Sequence, residues 1–256
     1  MLIDTHAHLK DEQYSEEKTC EIIQNMKNFG LEKIISASSS LSSCEKNYIL
    51  AQENENIYFT VGVHPENSSE WNEDTIESLK KFASNKKCVA IGEIGLDYHY
   101  EGHNKEEQKD ILIKQIKLAH SLNLPVVIHL RDAYEDMLNI LKNNLQFLSN
   151  GFVIHCYSGS LEYAKQLLNL GAYFSFTGNI TFKNSRKAAE VIAFLPSNRI
   201  MTETDSPYLS PEPFRGTQNE PKNVRYVFEK MCEIKQINKN ELENIIRENV
   251  RKFYRI

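Results

Sequence analysis

Short apolar runs recur along the whole chain and alternate with longer amphipathic stretches. The runs are rich in β-branched residues and almost uninterrupted, as is typical of strands in a parallel sheet that is buried on both faces. They cover residues 1–4, 33–37, 58–63, 89–92, 126–129, 152–155, 173–176 and 200–203. The pattern therefore predicts eight parallel β-strands.

The stretches between these runs have the periodicity of helices that bury one face. In the first of them, Ile22, Ile23 and Met26 share one side, and Gly30 follows as a typical residue for a helix C-terminus. The helices that this periodicity predicts cover residues 16–29, 106–122, 161–170, 224–235 and 239–254. The last two follow the eighth strand and are expected to close the fold.

Eight β-α units of about 30 residues each are typical of a TIM (β/α)8 barrel. We therefore predict an α/β fold in which residues 1–256 form a single domain, a TIM barrel with an extra C-terminal helix. The alternative is an open, doubly wound sheet. The sequence disfavours it because no Gly-rich phosphate loop follows the first strand.

Composition narrows the class of protein. Hydrophobic residues make up 41% of the chain and the net charge is −5, which argues against a basic nucleic-acid coat protein but not against an enzyme that binds phosphates locally. The five cysteines are scattered and form no C-x-x-C motif, as expected of reduced thiols. No apolar run approaches the roughly 20 residues of a membrane span. We expect a cytoplasmic protein with no leader, no membrane partner and no obligate protein partner.

Candidate chemistry lies at the carboxyl ends of the predicted strands, where barrels of this type carry their active sites. Five of the eight histidines fall there, while His99, His103 and His120 lie in a loop or a helix. The candidate residues, in chain order, are His6, His8, His64, Glu93, His129, Arg131, His155 and Asp205.

These residue types indicate a metal centre. His6 and His8 are two apart on an extended strand, so their imidazoles point the same way. Several carboxylates and imidazoles that converge on one barrel mouth need a cation to hold them together. Four imidazoles and two carboxylates suffice for two metals that share one carboxylate, and mixed N/O donors suit Zn²⁺, Mn²⁺ or Fe²⁺ better than Mg²⁺. Such a pair can clamp a phosphodiester, and Asp205 can accept the proton of the attacking water.

Seven motifs occur in order along almost the whole chain. They are Asp4-x-His6-x-His8, Gly62-x-His64-Pro65, Gly92-Glu93-Ile94-Gly95-Leu96-Asp97-Tyr98, Pro125-Val126-x-Ile128-His129-x-Arg131, His155-Cys156-Tyr157-Ser158-Gly159, Glu203-Thr204-Asp205-Ser206-Pro207-Tyr208-Leu209, and Arg215-Gly216 with Asn219-Glu220-Pro221. With these motifs the chain resembles the TatD-type metal-dependent deoxyribonucleases, a branch of the amidohydrolase-like TIM barrels.

The resemblance implies a role for each candidate residue. His6 and His8 would hold one divalent ion, with Asp205 as a further ligand, and Glu93 would bridge to a second ion. His129 and His155 would complete the second site. Asp205 would also orient or deprotonate the attacking water, so that Asp205 and Glu93 are the catalytic residues.

The resemblance also implies a substrate and the residues that bind it. His64 and Arg131 would bind the substrate phosphate. The expected cofactors are two divalent metal ions (Zn, Mn or Mg). The expected substrate is DNA, cleaved by exonucleolytic hydrolysis of single strands, with RNA left open.

Two other functions remain as alternatives. The same barrel could hydrolyse a small-molecule ester, lactone, amide or phosphotriester, although many such enzymes bridge their metals with a carboxylated lysine and the fourth predicted strand contains no lysine. The other alternative is a metal-binding scaffold without catalysis, which the complete set of candidate ligands disfavours.

Two neighbours of the candidate ligands are expected to lie outside the ligand set. Cys156 follows His155 on a predicted strand, so its side chain is expected to face the opposite way, towards the helices. Asp4 shares a strand face with His6 but lies deeper, and we expect it to support an imidazole.

Overall fold

The computed structural model describes residues 1–100, 102 and 104–256, so that His103 lies outside the described residues. Its strands are β1 Leu2–Ala7, β2 Leu31–Ser36, β3 Ile57–Val61, β4 Cys88–Asp97, β5 Val126–Arg131, β6 Phe152–Ile154, β7 Tyr173–Phe176 and β8 Ile200–Thr202. They form one parallel sheet in sequential order from β1 to β8. The predicted TIM barrel is confirmed, since all eight predicted strands are present.

Helices follow the strands in regular alternation. Their bounds are α1 Glu16–Asn25, α2 Leu41–Glu53, α3 Thr75–Ala83, α4 Lys105–Ser121, α5 Tyr134–Asn143, α6 Leu161–Asn169, α7 Arg186–Phe194, α8 Val224–Lys235 and α9 Lys239–Tyr254. The bounds of α8 and α9 are those that the hydrophobic pattern predicts. Among the described residues, no helix is both long enough and apolar enough to cross a membrane.

Polar side chains at the helix N-termini set where several helices begin. Ser15 accepts a hydrogen bond from the backbone of Lys18, and Asn104 accepts from two backbone amides in the first turn of α4. At the other end of α1, a short 3₁₀ turn ends at Gly30, whose φ is +74°. The predicted helix 16–29 is thus an α-helix followed by a tighter turn, and Gly30 ends it as expected.

Strand β4 differs most from its prediction, because it runs five residues further, to Asp97. Two glycines allow this strand to lie close against β5. A Cβ on Gly95 would come within 1.9 Å of the His129 carbonyl oxygen, and a Cβ on Gly92 within 2.5 Å of Val127. Because Glu93 lies inside this strand, the barrel wall itself positions its carboxylate.

The barrel closes between β1 and the segment that follows β8. Ala7 forms a parallel bridge with Ser206, the amide of Asp205 donates to the carbonyl of His6 (2.8 Å), and the amide of His8 donates to the carbonyl of Ser206 (2.7 Å). At the opposite end, α9 is tied to the start of β8 because the Asn249 amide donates to the carbonyls of Ser197 and Ile200. The seam that closes the barrel therefore also carries candidate ligands.

Candidate metal centre

Four side chains from β1, β4 and the segment after β8 converge on one point, and we call them the first donor set. Its members are His6 Nε2, His8 Nε2, Glu93 Oε2 and Asp205 Oδ1. The two imidazole nitrogens are 3.3 Å apart. Glu93 Oε2 lies 3.4 Å from His6 and 3.6 Å from His8, and Asp205 Oδ1 lies 3.7 Å and 3.3 Å from the same two atoms.

The spacing of the first donor set fits a divalent metal. Four donors about 2.0–2.1 Å from a tetrahedral Zn²⁺ would be separated by about 3.3–3.4 Å. The five distances in the first donor set run from 3.3 to 3.7 Å. Donor identity, spacing and burial therefore all suit a cation, and His6, His8, Glu93 and Asp205 are the residues that would hold it.

The other oxygen of Glu93 faces a second group of imidazoles, which we call the second donor set. Glu93 Oε1 lies 2.7 Å from His155 Nε2, 2.8 Å from His129 Nδ1 and 3.4 Å from His64 Nε2. The facing nitrogens of His129 and His155 are 3.4 Å apart. One carboxylate thus joins both sets, which is the arrangement that a bridging ligand needs.

Two acidic residues lie behind the imidazoles of the second donor set. Asp97 hydrogen-bonds to its imidazole, whereas in the described part of the chain His155 Nδ1 has no hydrogen-bond partner and Glu203 is only near it. Asp97 Oδ2 lies 2.9 Å from His129 Nε2, the ring nitrogen that faces away from Glu93. Glu203 Oε1 lies 3.4 Å from His155 Nδ1 and accepts a 2.6 Å hydrogen bond from the amide of Cys156. Carboxylates behind a ligating histidine fix its ring orientation and raise its basicity.

The sequence analysis missed these roles of Asp97 and Glu203, although both residues belong to its motifs. Spacing could have revealed them: Asp97 follows Glu93 by four residues on one strand, and Glu203 precedes Asp205 by two. Even spacing on an extended strand places Asp97 on the face of Glu93, since both lie within β4. Glu203 and Asp205 lie beyond the end of β8, so only their closeness in the sequence marks Glu203.

The charges of the cluster balance one another. Burial disfavours ionised Glu93, but the charge of His155 and hydrogen bonds from His129 and His155 outweigh it and hold the pKa of Glu93 well below its usual range. Burial also disfavours the charged ring of His155, yet Glu93 and Glu203 raise the pKa of His155 well above normal. Buried carboxylates of this kind need positive partners, and a divalent cation meets that need while releasing protons.

Partners of opposite charge also shift the pKa values of His8, His129 and Asp205 towards the charged form, whereas the pKa of His64 shifts towards the neutral form. Burial opposes the charged forms of His8 and His129, but hydrogen bonds to Asp205 and Asp97 raise the pKa of both rings. Burial raises and the hydrogen bond from His8 lowers the pKa of Asp205, and the net shift is downward. Burial and the neighbouring His129 lower the pKa of His64. His64 is therefore a neutral ring in the cluster.

The two predicted phosphate-binding residues lie in different surroundings. His64 is only 7% exposed and its Nδ1 accepts a hydrogen bond from the amide of Glu66, so its Nε2 carries the proton and faces Glu93. Arg131 lines the mouth of the site, and its guanidinium lies 5.2 Å from the centre of the Tyr100 ring. Asp132, the neighbour of Arg131, lies with its Oδ2 3.1 Å from His99 Nδ1.

The cavity above the cluster has a volume of about 480 Å³. Among the described residues that line it, Arg131 is the one lysine or arginine, against the carboxylates of Asp11, Glu66, Glu93, Asp97 and Asp205. An anionic substrate would meet net repulsion here unless further positive charge were present. The lining charges thus agree with the donor geometry in requiring cations.

Two expectations about neighbouring residues are wrong. Cys156 lines the cavity instead of facing the helices, because β6 ends at Ile154 and Cys156 has a φ of +46°, so strand alternation no longer applies. Asp4 supports no imidazole within the described part of the chain. It accepts hydrogen bonds from the amide and hydroxyl of Thr204 and from the amide of His6, and burial raises its pKa to about 8.

Comparison with known proteins yields a family and close relatives. The model of the family described as "TatD related DNase" matches residues 3–255. The metal-dependent hydrolase YabD of Bacillus subtilis is 39% identical over the full length of both chains. The 3'-5' ssDNA/RNA exonuclease TatD of Shigella flexneri is 28% identical and covers 90% of each chain.

A solved structure agrees with the sequence matches. The crystal structure of YjjV, a TatD homologue from Escherichia coli, superimposes with a TM-score of 0.94 at 29% identity, and the match covers 100% of this chain and 98% of that one. With a family model that spans almost every residue and a full-length relative at 39% identity, the chain belongs to the TatD family and is a metal-dependent hydrolase.

Proposed function

We propose that this hydrolase cleaves phosphodiester bonds of single-stranded DNA, one nucleotide at a time from the 3′ end, with RNA as a weaker or equal substrate. The observation that carries the proposal is the placement of Glu93, whose two oxygens face two separate sets of donors. A paired site of this kind is suited to a phosphodiester, which has an attacked and a leaving oxygen to stabilise. The name of the Shigella flexneri relative, a 3'-5' ssDNA/RNA exonuclease, supports the same substrate class.

The proposed cofactors are two divalent ions, of which Zn²⁺ and Mn²⁺ suit the mixed nitrogen and oxygen donors better than Mg²⁺. His6, His8, Glu93 and Asp205 would hold one ion, and Glu93, His129 and His155 the other. Ions bound there supply charge neutralisation and a water of lowered pKa.

The chain's own residues would perform the remaining steps. Asp205 accepts the proton of the attacking water, because its carboxylate stays ionised, is 15% exposed and lines the cavity. Arg131, which is always charged, binds a phosphate oxygen at the rim. His64 is neutral and carries its proton on Nε2, so it can donate a hydrogen bond to the phosphate without adding charge.

We place this activity in the cytoplasm, within one catalytic domain that includes the whole chain. All five cysteines are free in the structure, and free thiols are typical of reducing compartments.

The test is digestion by metal-reconstituted protein. The chelator-treated chain is loaded with Zn²⁺, Mn²⁺ or Mg²⁺ and given 5′-labelled single- and double-stranded DNA and RNA, together with a panel of lactones and esters. We expect a ladder that shortens from the 3′ end on single strands and no product without metal. Turnover of a lactone with no cleavage of any nucleic acid would reverse the proposal in favour of a small-molecule hydrolase.

Asp205→Asn isolates the chemical step in the same assay. We expect kcat to fall by about 10²–10⁴-fold, because the amide cannot take the proton of the water. The matched control is Glu66→Gln, which neutralises an exposed carboxylate at the edge of the cavity and should keep kcat within about twofold. Equal losses in the two variants would contradict the role of Asp205.

A further inference from the structure

Tyr208 presents a large aromatic surface beside the metal centre. Its side chain is 46% exposed, and it lines the cavity three residues after Asp205 in the chain. Phe, Tyr and Trp side chains are otherwise missing from the described lining of this cavity. The ring is therefore an apolar surface of unusual size in a polar site, and it carries no part of the chemistry proposed above.

The ring of Tyr208 is held in a fixed position. Its hydroxyl donates a 2.7 Å hydrogen bond to Asp11 Oδ2, and its backbone amide donates to the carbonyl of Asp205 (2.9 Å). Its ring meets the ring of His8 edge-on, with centres 6.1 Å apart. Anchored at both ends, this side chain would lose little conformational freedom when a ligand covers its face.

The position of Tyr208 relative to Arg131 at the rim of the cavity indicates which part of a substrate would cover the ring of Tyr208. Tyr208 lies on the segment after β8, whereas Arg131 ends β5, three strands away around the barrel. A phosphate bound between the donor sets and Arg131 would leave its attached nucleoside room on the side of Tyr208. A cavity of about 480 Å³ is of the size that takes one small ligand group.

We propose that Tyr208 is a stacking platform for the nucleobase next to the scissile phosphate. This inference rests on the proposed function and adds the feature that would select single-stranded substrates. A base can stack on the ring only when it is unpaired, so the platform selects single strands. Every base has a π-face, so the selection tolerates any sequence.

A direct test uses a fluorescent base. The full-length protein, with and without Mn²⁺, is titrated with two single-stranded oligonucleotides that carry 2-aminopurine on one or the other side of a 3′-terminal phosphorothioate linkage. Stacking on an aromatic ring quenches this base. We expect wild-type protein to quench one of the two probes and Tyr208→Ala to bind that probe about 10-fold more weakly with little quenching, the size of effect usual for one base–aromatic stack.

Two further variants separate stacking from structural support. Tyr208→Phe keeps the ring but not the hydroxyl, and we expect it to keep most of the quenching. Phe194→Ala removes a phenyl ring of similar exposure (45%) at the end of α7, on the side of the barrel where β8 begins, and it should bind and quench as wild type does. Cleavage is compared on a normal oligonucleotide and one that lacks the base beside the scissile bond, and the ratio of kcat/KM on the two should fall about 10-fold only in Tyr208→Ala.

The possible outcomes distinguish this inference from the proposed function. If wild-type protein cleaves single strands but Tyr208→Ala quenches fully, or loses activity equally on both substrates, the stacking role is wrong and the nuclease function stands. If quenching depends on Tyr208 but nothing is cleaved, the binding platform stands and the nuclease function fails. If wild-type protein neither cleaves nor quenches, both are wrong.

Discussion

The two donor sets share Glu93 but are held in different ways. In the first, the donors lie 3.3–3.7 Å apart, and two of the segments that carry them are joined by main-chain hydrogen bonds across the barrel seam. In the second, His129 and His155 contact Glu93 at 2.8 and 2.7 Å, and the carboxylates of Asp97 and Glu203 stand behind them. The main chain thus preorganises the first set, whereas side chains orient the second.

This difference has a consequence for metal binding. The five separations given for the first set are already within about 0.4 Å of those of a tetrahedral site, whereas the second set must open by about 0.5 Å at two contacts to reach them. We therefore expect the first set to bind its ion more tightly, and the second to depend more on its supporting carboxylates.

The largest expected effect comes from removing the residue that both sets share. Glu93→Ala should lower kcat on single-stranded DNA by about 10⁴-fold or more, because it removes a ligand from both ions and with them several kcal/mol of charge stabilisation. Bound metal, measured by elemental analysis after gel filtration, should fall from two ions per chain to fewer than one. The circular dichroism spectrum should stay that of the wild type. Normal turnover in metal-scrubbed buffer would show that Glu93 is no bridge.

Removing the carboxylate behind His129 should have a smaller effect, and one that is confined to the ion of the second donor set. Asp97→Asn should weaken the lower-affinity ion by about 10–100-fold, because His129 loses the carboxylate behind its ring, and should leave the tighter ion unchanged. Competition with a fluorescent chelator resolves the two affinities. The matched control is Asp11→Asn, whose carboxylate accepts a hydrogen bond from Tyr208 instead. If Asp97→Asn weakened both ions equally, the contrast between the two sets would be lost.

The smallest expected effect is on stability as a function of pH. The folded-state pKa values of His8, His129 and His155 are raised, so these rings stabilise the metal-free fold fully below their unfolded pKa of about 6.5, and this contribution is lost as pH rises through the folded values. The lowered pKa values of Glu93 and Asp205 act only at more acidic pH.

The measurement is the unfolding temperature between pH 6 and 9 with and without Mn²⁺. Metal displaces the ring protons, so the Tm increase that it causes should grow by a few degrees from pH 6 to pH 9. A constant or shrinking difference would contradict the exchange of protons for metal.

Much of this protein could be predicted from local pattern. Apolar runs and helical periodicity located all eight strands and the last two helices, because burial on both faces of a parallel sheet leaves a signal in a few adjacent residues. The same pattern marked strand ends as the place to look, and the structure brings His6, His8, Glu93, His129, His155 and Asp205 together there.

The sequence by itself therefore determined the barrel, its family and the residue types at its mouth. Only the tertiary structure decided that the two oxygens of Glu93 face different donor sets, that Cys156 lines the cavity and that Tyr208 stands beside His8. Asp4 illustrates the reason, because its carboxylate accepts a hydrogen bond from the amide of Thr204, which lies 200 positions away in the chain. Such contacts depend on the closing register of the barrel, and short-range periodicity carries no information about that register.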